Sequence, residues 1–165
     1  MMTKFLLGIA IVAFTTFCGY VLTKKYRRKK LFFSQLKEFN ERFLSEISYY
    51  RRPIEQFFAK YTYKDEFNDF LQFYLQRIRN EPQFAGQIHA FPDCKFLTEE
   101  EKGVVEDYFL MLGKGDSASQ KAYFSSMKER LNKLQAESES AAKKYGDLYI
   151  KLGFLCGLLI LILIL

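Results

Sequence analysis

Few side chains in this sequence have the type and spacing that catalysis or metal binding requires. The single histidine, His89, lies in a loop-like stretch with two prolines, and no second His, Cys or carboxylate stands at metal-ligand spacing beside it. Without an orienting partner it is also a poor base for a nucleophilic serine. We therefore expect no catalytic residue, no metal site and no cofactor. A membrane-bound enzyme with an unrecognised site stays as the alternative.

Two further patterns could suggest chemistry, and neither has the required spacing. The stretch "LGKGDS", Leu112 to Ser117, contains Gly, Lys and Ser but lacks the spacing of a phosphate-binding loop, and it predicts a helix end and a turn. The three cysteines, Cys18, Cys94 and Cys156, are too far apart for a metal or redox motif. Isolated cysteines of this kind indicate a reducing compartment for the middle of the chain.

The net charge of +6 is concentrated in one short segment. From Leu31 to Lys151 the chain has 18 Lys and Arg against 19 Asp and Glu, so this part is near neutral. A surface that binds nucleic acid should carry positive charge over a whole domain face. Because the charge here is confined to one segment, we expect no nucleic-acid partner. The basic cluster suits the headgroups of an anionic lipid membrane instead. It consists of Lys24, Lys25, Arg27, Arg28, Lys29 and Lys30.

Two uncharged apolar segments stand at the ends of the chain. Phe5 to Thr23 is about 28 Å long as a helix, close to the thickness of a bilayer core. It predicts a transmembrane anchor at residues 1–23 and a basic juxtamembrane segment at 24–31, with a cleaved signal peptide as the alternative. The second segment predicts a transmembrane helix at 151–165, provided that Lys151 extends its ammonium group to the headgroups. A half-inserted or protein-buried tail is the alternative.

Positive charge flanks both segments on the side of the middle domain. Lys143, Lys144 and Lys151 precede the second segment, as the basic cluster follows the first. Positive residues favour the cytoplasmic side of a membrane. We expect a cytoplasmic middle domain and two termini that point outward.

Small residues in the apolar segments predict close helix packing. Gly153 and Gly157 have the G-x-x-x-G spacing, and Gly8 and Gly19 lie in the first segment. Small residues let transmembrane backbones approach. The sequence leaves open whether the two helices pack on each other or on partners, and the spacing also occurs by chance.

The middle segment, residues 32–150, shows helical periodicity. Apolar residues recur every three or four positions after Phe32 and again after Phe67, and Pro53 predicts the start of a shorter helix between these runs. Thr98 and Glu101 have capping-box spacing, and so do Ser117 and Gln120. The fold class predicted is all-α, an antiparallel helical bundle flanked by an N-terminal and a C-terminal transmembrane helix.

A seven-residue spacing of apolar side chains marks the last helix. It predicts one helix from about Ser117 to the chain end, with its seam packed on the first helix. The alternative is that this seam forms an intermolecular coiled coil. The predicted seam residues are Phe124, Met127, Leu131, Leu134, Tyr145 and Leu148.

Adjacent aromatic residues suggest a contact surface. Phe57 and Phe58 lie about 100° apart on a helix, so one buried face should not hold both. With Arg51 and Arg52 they are our predicted partner contacts, and a broad core face is the alternative.

Three segments resemble the stage III sporulation protein AB family. "KKYGDLYIKLGFLCGLLILIL" is similar to the closing membrane motif of that family, "LGKGDSASQ" to its turn and "EISYYRRPIEQ" to an earlier segment. The similarity covers nearly the whole chain, although 67–96 is richer in aromatic residues than expected.

The resemblance implies a domain similar to the platform domain of type II secretion and type IV pilus systems. It implies a non-enzymatic subunit of the channel between mother cell and forespore, in the outer forespore membrane with its domain in the mother-cell cytoplasm. The implied partners are a secretion-type ATPase and other membrane subunits of the channel, and a homo-oligomer stays open. A platform fragment of a secretion or pilus assembly system is a further alternative.

Overall fold

A computed structural model describes residues 2–49, 54–80, 94–112 and 114–164 of the chain. All regular structure in these ranges is helical, so the all-α prediction is confirmed. The helices are α1 (Met2–Tyr49), α2 (Ile54–Lys60), α3 (Asp65–Asn80), α4 (Glu99–Met111) and α5 (Ser117–Ile164), and a 3-10 helix spans Cys94–Phe96.

The chain divides into two compact units. The hairpin unit consists of Met1–Lys30 and Glu137–Leu165, and the bundle unit consists of Leu31–Ala136. Helices α1 and α5 contribute to both. The sequence placed the bundle at 32–150, whereas residues 137–150 belong to the hairpin unit, where they pack with the N-terminal part of α1.

Aromatic rings form the core of the bundle unit. Phe39 of α1 is fully buried, and its ring lies 5.2 Å from Phe57 of α2, 6.0 Å from Phe67 of α3 and 5.8 Å from Phe109 of α4. Rings at these separations contribute beyond their buried area. The seam residues Phe124, Met127 and Leu131 of α5 are buried in this core and Leu134 packs partly against it.

The structure corrects the prediction for the adjacent aromatic pair. Phe57 is 5% exposed and Phe58 is 8% exposed, so neither lies on the surface. Phe57 packs on Phe43, and Phe58 packs on Tyr74 of α3. The short helix α2 therefore buries two sides, one against α1 and one against α3, and the single-buried-face argument does not hold for it.

Buried polar side chains connect the helices of the bundle unit. The Asn40 amide donates to the carbonyl oxygen of Phe124 (3.2 Å), and the Tyr108 hydroxyl donates to the Asn40 Oδ1 atom (3.1 Å). This joins α1, α4 and α5 through a side chain that is nearly inaccessible to solvent. A buried polar group must be paired, so the network favours one register of the three helices.

Capping residues define the starts of the last two helices. Thr98 and Glu101 form both hydrogen bonds of a capping box at α4, as predicted. At α5, Asp116 has the capping role that was predicted for Ser117, because its carboxylate accepts from the Ser119 amide at 2.7 Å. This backbone hydrogen bond lowers the pKa of the Asp116 carboxyl. Gly115, with φ of 83°, supplies the left-handed turn before it.

The buried tyrosines predict a loss of stability in alkaline solution. Burial raises the pKa of Tyr63 to about 12, against an opposing effect of Arg42, and burial also raises the pKa of Tyr108. A hydroxyl with a higher pKa in the folded state contributes stability that is complete below about pH 10 and lost as the pH rises through the folded pKa. We expect the titration of Tyr63 to lower the free energy of unfolding by about 2 kcal/mol between pH 10 and 12, and the titration of Tyr108 to add to this loss.

The measurement is urea unfolding of the full chain in detergent micelles, followed by circular dichroism across this pH range. The Tyr63→Phe/Tyr108→Phe double variant should lose less stability with pH than the wild type. Tyr20→Phe, at an exposed position, is the control and should follow the wild type. An equal pH slope in the double variant and the wild type would contradict the expectation.

Candidate functional site

The two apolar ends of the chain pack together as an antiparallel helix pair within the hairpin unit. Gly8 of α1 lies against Leu161 of α5, and Gly19 lies against the Tyr149 backbone. As the contacts move toward the C-terminus of α1, they move toward the N-terminus of α5, so the two helices run antiparallel. Of the two uses that the sequence left open for the glycines, the structure has the one in which the helices pack on each other.

Gly153 and Gly157 are the points of closest approach on α5. A Cβ atom added at Gly153 would lie 2.6 Å from the carbonyl oxygen of Thr15, and one added at Gly157 would lie 2.7 Å from the Cα atom of Val12. Both distances are shorter than real Cβ contacts, so any larger residue would force the helices apart. The G-x-x-x-G spacing therefore serves contact within the chain.

The structure corrects the predicted seam in the C-terminal half of α5. Leu148 is 43% exposed, and Leu152 and Leu155 are exposed as well, whereas Tyr145 is half-buried. The contact residues recur every fourth position, at Tyr145, Tyr149, Gly153, Gly157 and Leu161. Small residues allow close backbone packing, and the leucines lie on the outer face of the pair.

Three tyrosine rings form a cluster at one end of the hairpin unit. Tyr26 stacks on Tyr145 with ring centroids 4.8 Å apart and on Tyr149 at 6.1 Å. One turn further along α1, the Lys30 ammonium forms a 2.8 Å ion pair with Glu139 of α5. Tyrosine is enriched where a membrane helix meets the headgroup layer, so this end has the composition of such a boundary.

The basic residues surround the tyrosine cluster. Lys24, Lys25, Arg27 and Lys30 are exposed, while Arg28 and Lys29 are half-buried. The Nζ atom of Lys25 lies 5.9 Å from the ring centre of Tyr26, and the Nζ atom of Lys144 lies 5.6 Å from the ring centre of Tyr145. Lys151 is exposed on α5, two residues after Tyr149. The basic cluster of α1 and the lysines Lys144 and Lys151 of α5 are therefore at the same end of the antiparallel pair.

Both helices are long and apolar enough to cross a membrane. The most apolar 18-residue window has a mean hydropathy of 2.0 in each helix, and only 6% of that window is buried in α5 and 17% in α1. A core helix of a soluble protein would be mostly buried, so the exposure favours lipid as the environment. The exposed thiols of Cys18 and Cys156 also lie in these segments.

The structure does not describe the remaining candidate residues. Arg51, Arg52 and His89 lie outside the described residues. Within the described ranges, no group of three or more His, Cys, Asp or Glu side chains could hold a metal ion.

Gly8 and Gly19 were expected at the helix contact, whereas the threonines on the α1 side of it were not. Thr15 and Thr16 donate their hydroxyls to backbone carbonyl oxygens of their own helix, and Thr23 is fully buried. Together with Gly8, Val12, Gly19 and Tyr26 they recur every three or four residues. The recurrence of Gly and Thr at this spacing is the signal that could have identified the rest of the contact face.

The fold and the apolar helix pair define a class: an all-helical protein in which a bundle is accompanied by two helices that could span a membrane. The stage III sporulation protein AB family matches residues 4–165, nearly the whole chain, and the chain belongs to that family. The resemblance inferred from the sequence motifs is thereby confirmed. Neither a curated protein nor a solved structure matches the chain.

Proposed function

We propose that the chain is a membrane-anchored, non-enzymatic platform subunit of the secretion-like channel between mother cell and forespore. Its bundle unit faces the cytoplasm of the mother cell, and its hairpin unit lies in the outer forespore membrane. Membership in the stage III sporulation protein AB family supports the sporulation role.

The observation that supports this topology best is the shared location of the positive charges. Because α1 and α5 pair in opposite directions, the basic cluster of α1 and Lys144 of α5 lie at the same end of the helix pair. The positive-inside rule favours the cytoplasmic side for that end. Each helix then crosses the membrane once, and both termini point away from the cytoplasm.

The partners proposed differ for the two units. Anionic lipid headgroups bind the exposed basic residues beside the tyrosine cluster, where each cation near the surface contributes about 1 kcal/mol. The bundle unit docks a secretion-type ATPase, and other channel subunits contact the chain in the membrane. Arg51 and Arg52 remain proposed contacts, and the buried Phe57 and Phe58 do not.

Binding to the ATPase tests this proposal. The full chain is inserted in nanodiscs that contain anionic lipid and is incubated with the secretion-type ATPase of the same organism. We expect saturable co-sedimentation, without turnover of ATP by the chain alone. The Leu131→Asp variant, whose bundle core is disrupted, is the control and should not bind. Absence of binding by the wild type, or catalysis by the purified chain alone, would contradict the proposal.

A further inference from the structure

Helix α4 has an exposed face that the fold of a single chain does not explain. Glu100, Asp107, Leu110 and Met111 are exposed on it, and the two apolar side chains retain 40% and 38% of their accessible surface. Gly103 lies within this face. A Cβ atom added there would meet nothing within 4 Å, so packing within the chain does not require a glycine. A glycine inside a helix costs about 1 kcal/mol relative to alanine.

Helix α5 has an exposed face of opposite charge in the same unit. Lys121 and Lys128 are exposed, with small residues beside them at Ala118, Ala122 and Ser125. Glu129 is the acidic neighbour on this stretch. The two lysines are seven residues apart, as are Glu100 and Asp107 of α4, so each pair spans about 10.5 Å along its helix.

We propose that the α4 face of one copy of this chain binds the α5 face of a second copy. In one antiparallel register Glu100 lies opposite Lys128, and Asp107 lies opposite Lys121. The same register places Gly103 opposite Ser125 and Leu110 opposite Ala118. The missing Cβ of Gly103 lets the two helix axes approach closely, which accounts for a glycine that the single chain does not need.

A twofold arrangement follows from the position of the two helices in the bundle unit. Helices α4 and α5 are neighbours, because the Tyr108 ring lies 4.9 Å from the Phe124 ring and the Tyr123 hydroxyl donates to the Asp107 carbonyl oxygen. A short turn joins them, so they run antiparallel. A twofold rotation about an axis parallel to both helices therefore brings α4 of each copy against α5 of the other copy, which gives two equivalent contacts.

The energetic roles of the contacts differ. Each of the two α4–α5 contacts contains two charge pairs. Exposed ion pairs contribute little to affinity, so these four pairs would mainly select the register and the partner. The close contact at Gly103 and the burial of Leu110 and Met111 would supply most of the affinity. Self-association does not depend on the ATPase or on the channel, so this inference and the proposed function can fail separately.

The test is the mass of the full chain in detergent micelles, measured by light scattering over a range of protein concentrations. The wild type should form dimers. The acid-reversed variant, Glu100→Lys/Asp107→Lys, and the lysine-reversed variant, Lys121→Glu/Lys128→Glu, should each dimerise at least tenfold more weakly. An equal mixture of the two variants should dimerise as the wild type does, because each reversed face meets a complementary one. Asp69→Lys, at an exposed position of α3, is the control and should not change association.

Gly103→Leu separates a loss of association from a loss of folding. Leucine is a better helix former than glycine, so the unfolding midpoint of this variant should not decrease, while its association should weaken at least tenfold. A wild type that stays monomeric at every concentration would overturn the inference. So would unchanged association of the reversed variants or of Gly103→Leu, or a mixture that fails to restore dimers.

Discussion

Leu131→Asp should unfold the bundle unit. Leu131 is fully buried in the core formed by α5 and the aromatic residues of the other helices. The substitution removes the buried side chain and places an unpaired carboxylate in an apolar environment, which costs far more than truncation alone. We expect the free energy of unfolding to decrease by about 4 kcal/mol or more, a large share of the stability of a domain of this size.

Urea unfolding of the full chain in detergent micelles, monitored by circular dichroism, measures this effect. The matched control is Ala136→Asp, which adds the same charge to an exposed position of the same helix. It should shift the midpoint little, because surface substitutions usually change stability by less than about 0.5 kcal/mol. Equal melting curves for Leu131→Asp and the wild type would show that Leu131 is not a core residue.

Gly157→Leu should separate the paired helices of the hairpin unit. The added side chain would collide with Thr15 and with the Val12 backbone, so relief requires a shift of a whole helix. Overpacking of a tight contact costs about 1–3 kcal/mol. The bundle unit contains none of these residues, so its unfolding midpoint should stay at the wild-type value.

Spin labels on Cys18 and Cys156 report this change, because both thiols are exposed and lie on different helices of the pair. The measurement is the distance distribution between the labels in lipid nanodiscs, with the buried Cys94 replaced by alanine in every variant. The distribution should broaden and shift in Gly157→Leu. Gly146→Leu is the matched control, since a Cβ at Gly146 meets nothing within 4 Å, and its distribution should not change. An unaltered distribution in Gly157→Leu would be inconsistent with the described packing.

Much of the fold could be predicted because local patterns determine it. The capping box at Thr98 needs two side chains three residues apart, and the structure contains both of its hydrogen bonds. Phe124, Met127 and Leu131, the buried part of the seven-residue spacing, face the apolar core of the bundle unit, where apolar periodicity and burial coincide. Family membership could also be read from motifs near the chain end.

The errors have a physical origin in the surroundings of each helix. The leucine pattern failed at Leu148 because hydrophobicity does not select the contact face when the exposed face is also apolar. The prediction for Phe57 and Phe58 failed because a short helix can be covered on two sides, here by α1 and by α3. Asn40 was not predicted as a core residue, since its burial depends on partners 68 and 84 residues away in sequence.

The orientation of the chain in the membrane is the most direct test of the proposed topology. Single cysteines are placed at Ser126 in the bundle unit and at Thr3 near the N-terminus, in a chain without other cysteines. Intact, non-sporulating bacteria that express these variants are treated with a membrane-impermeant maleimide. We expect labelling at position 3 in intact cells and at position 126 only after permeabilisation. Labelling at position 126 in intact cells would place the bundle unit outside the cytoplasm and contradict the proposed topology.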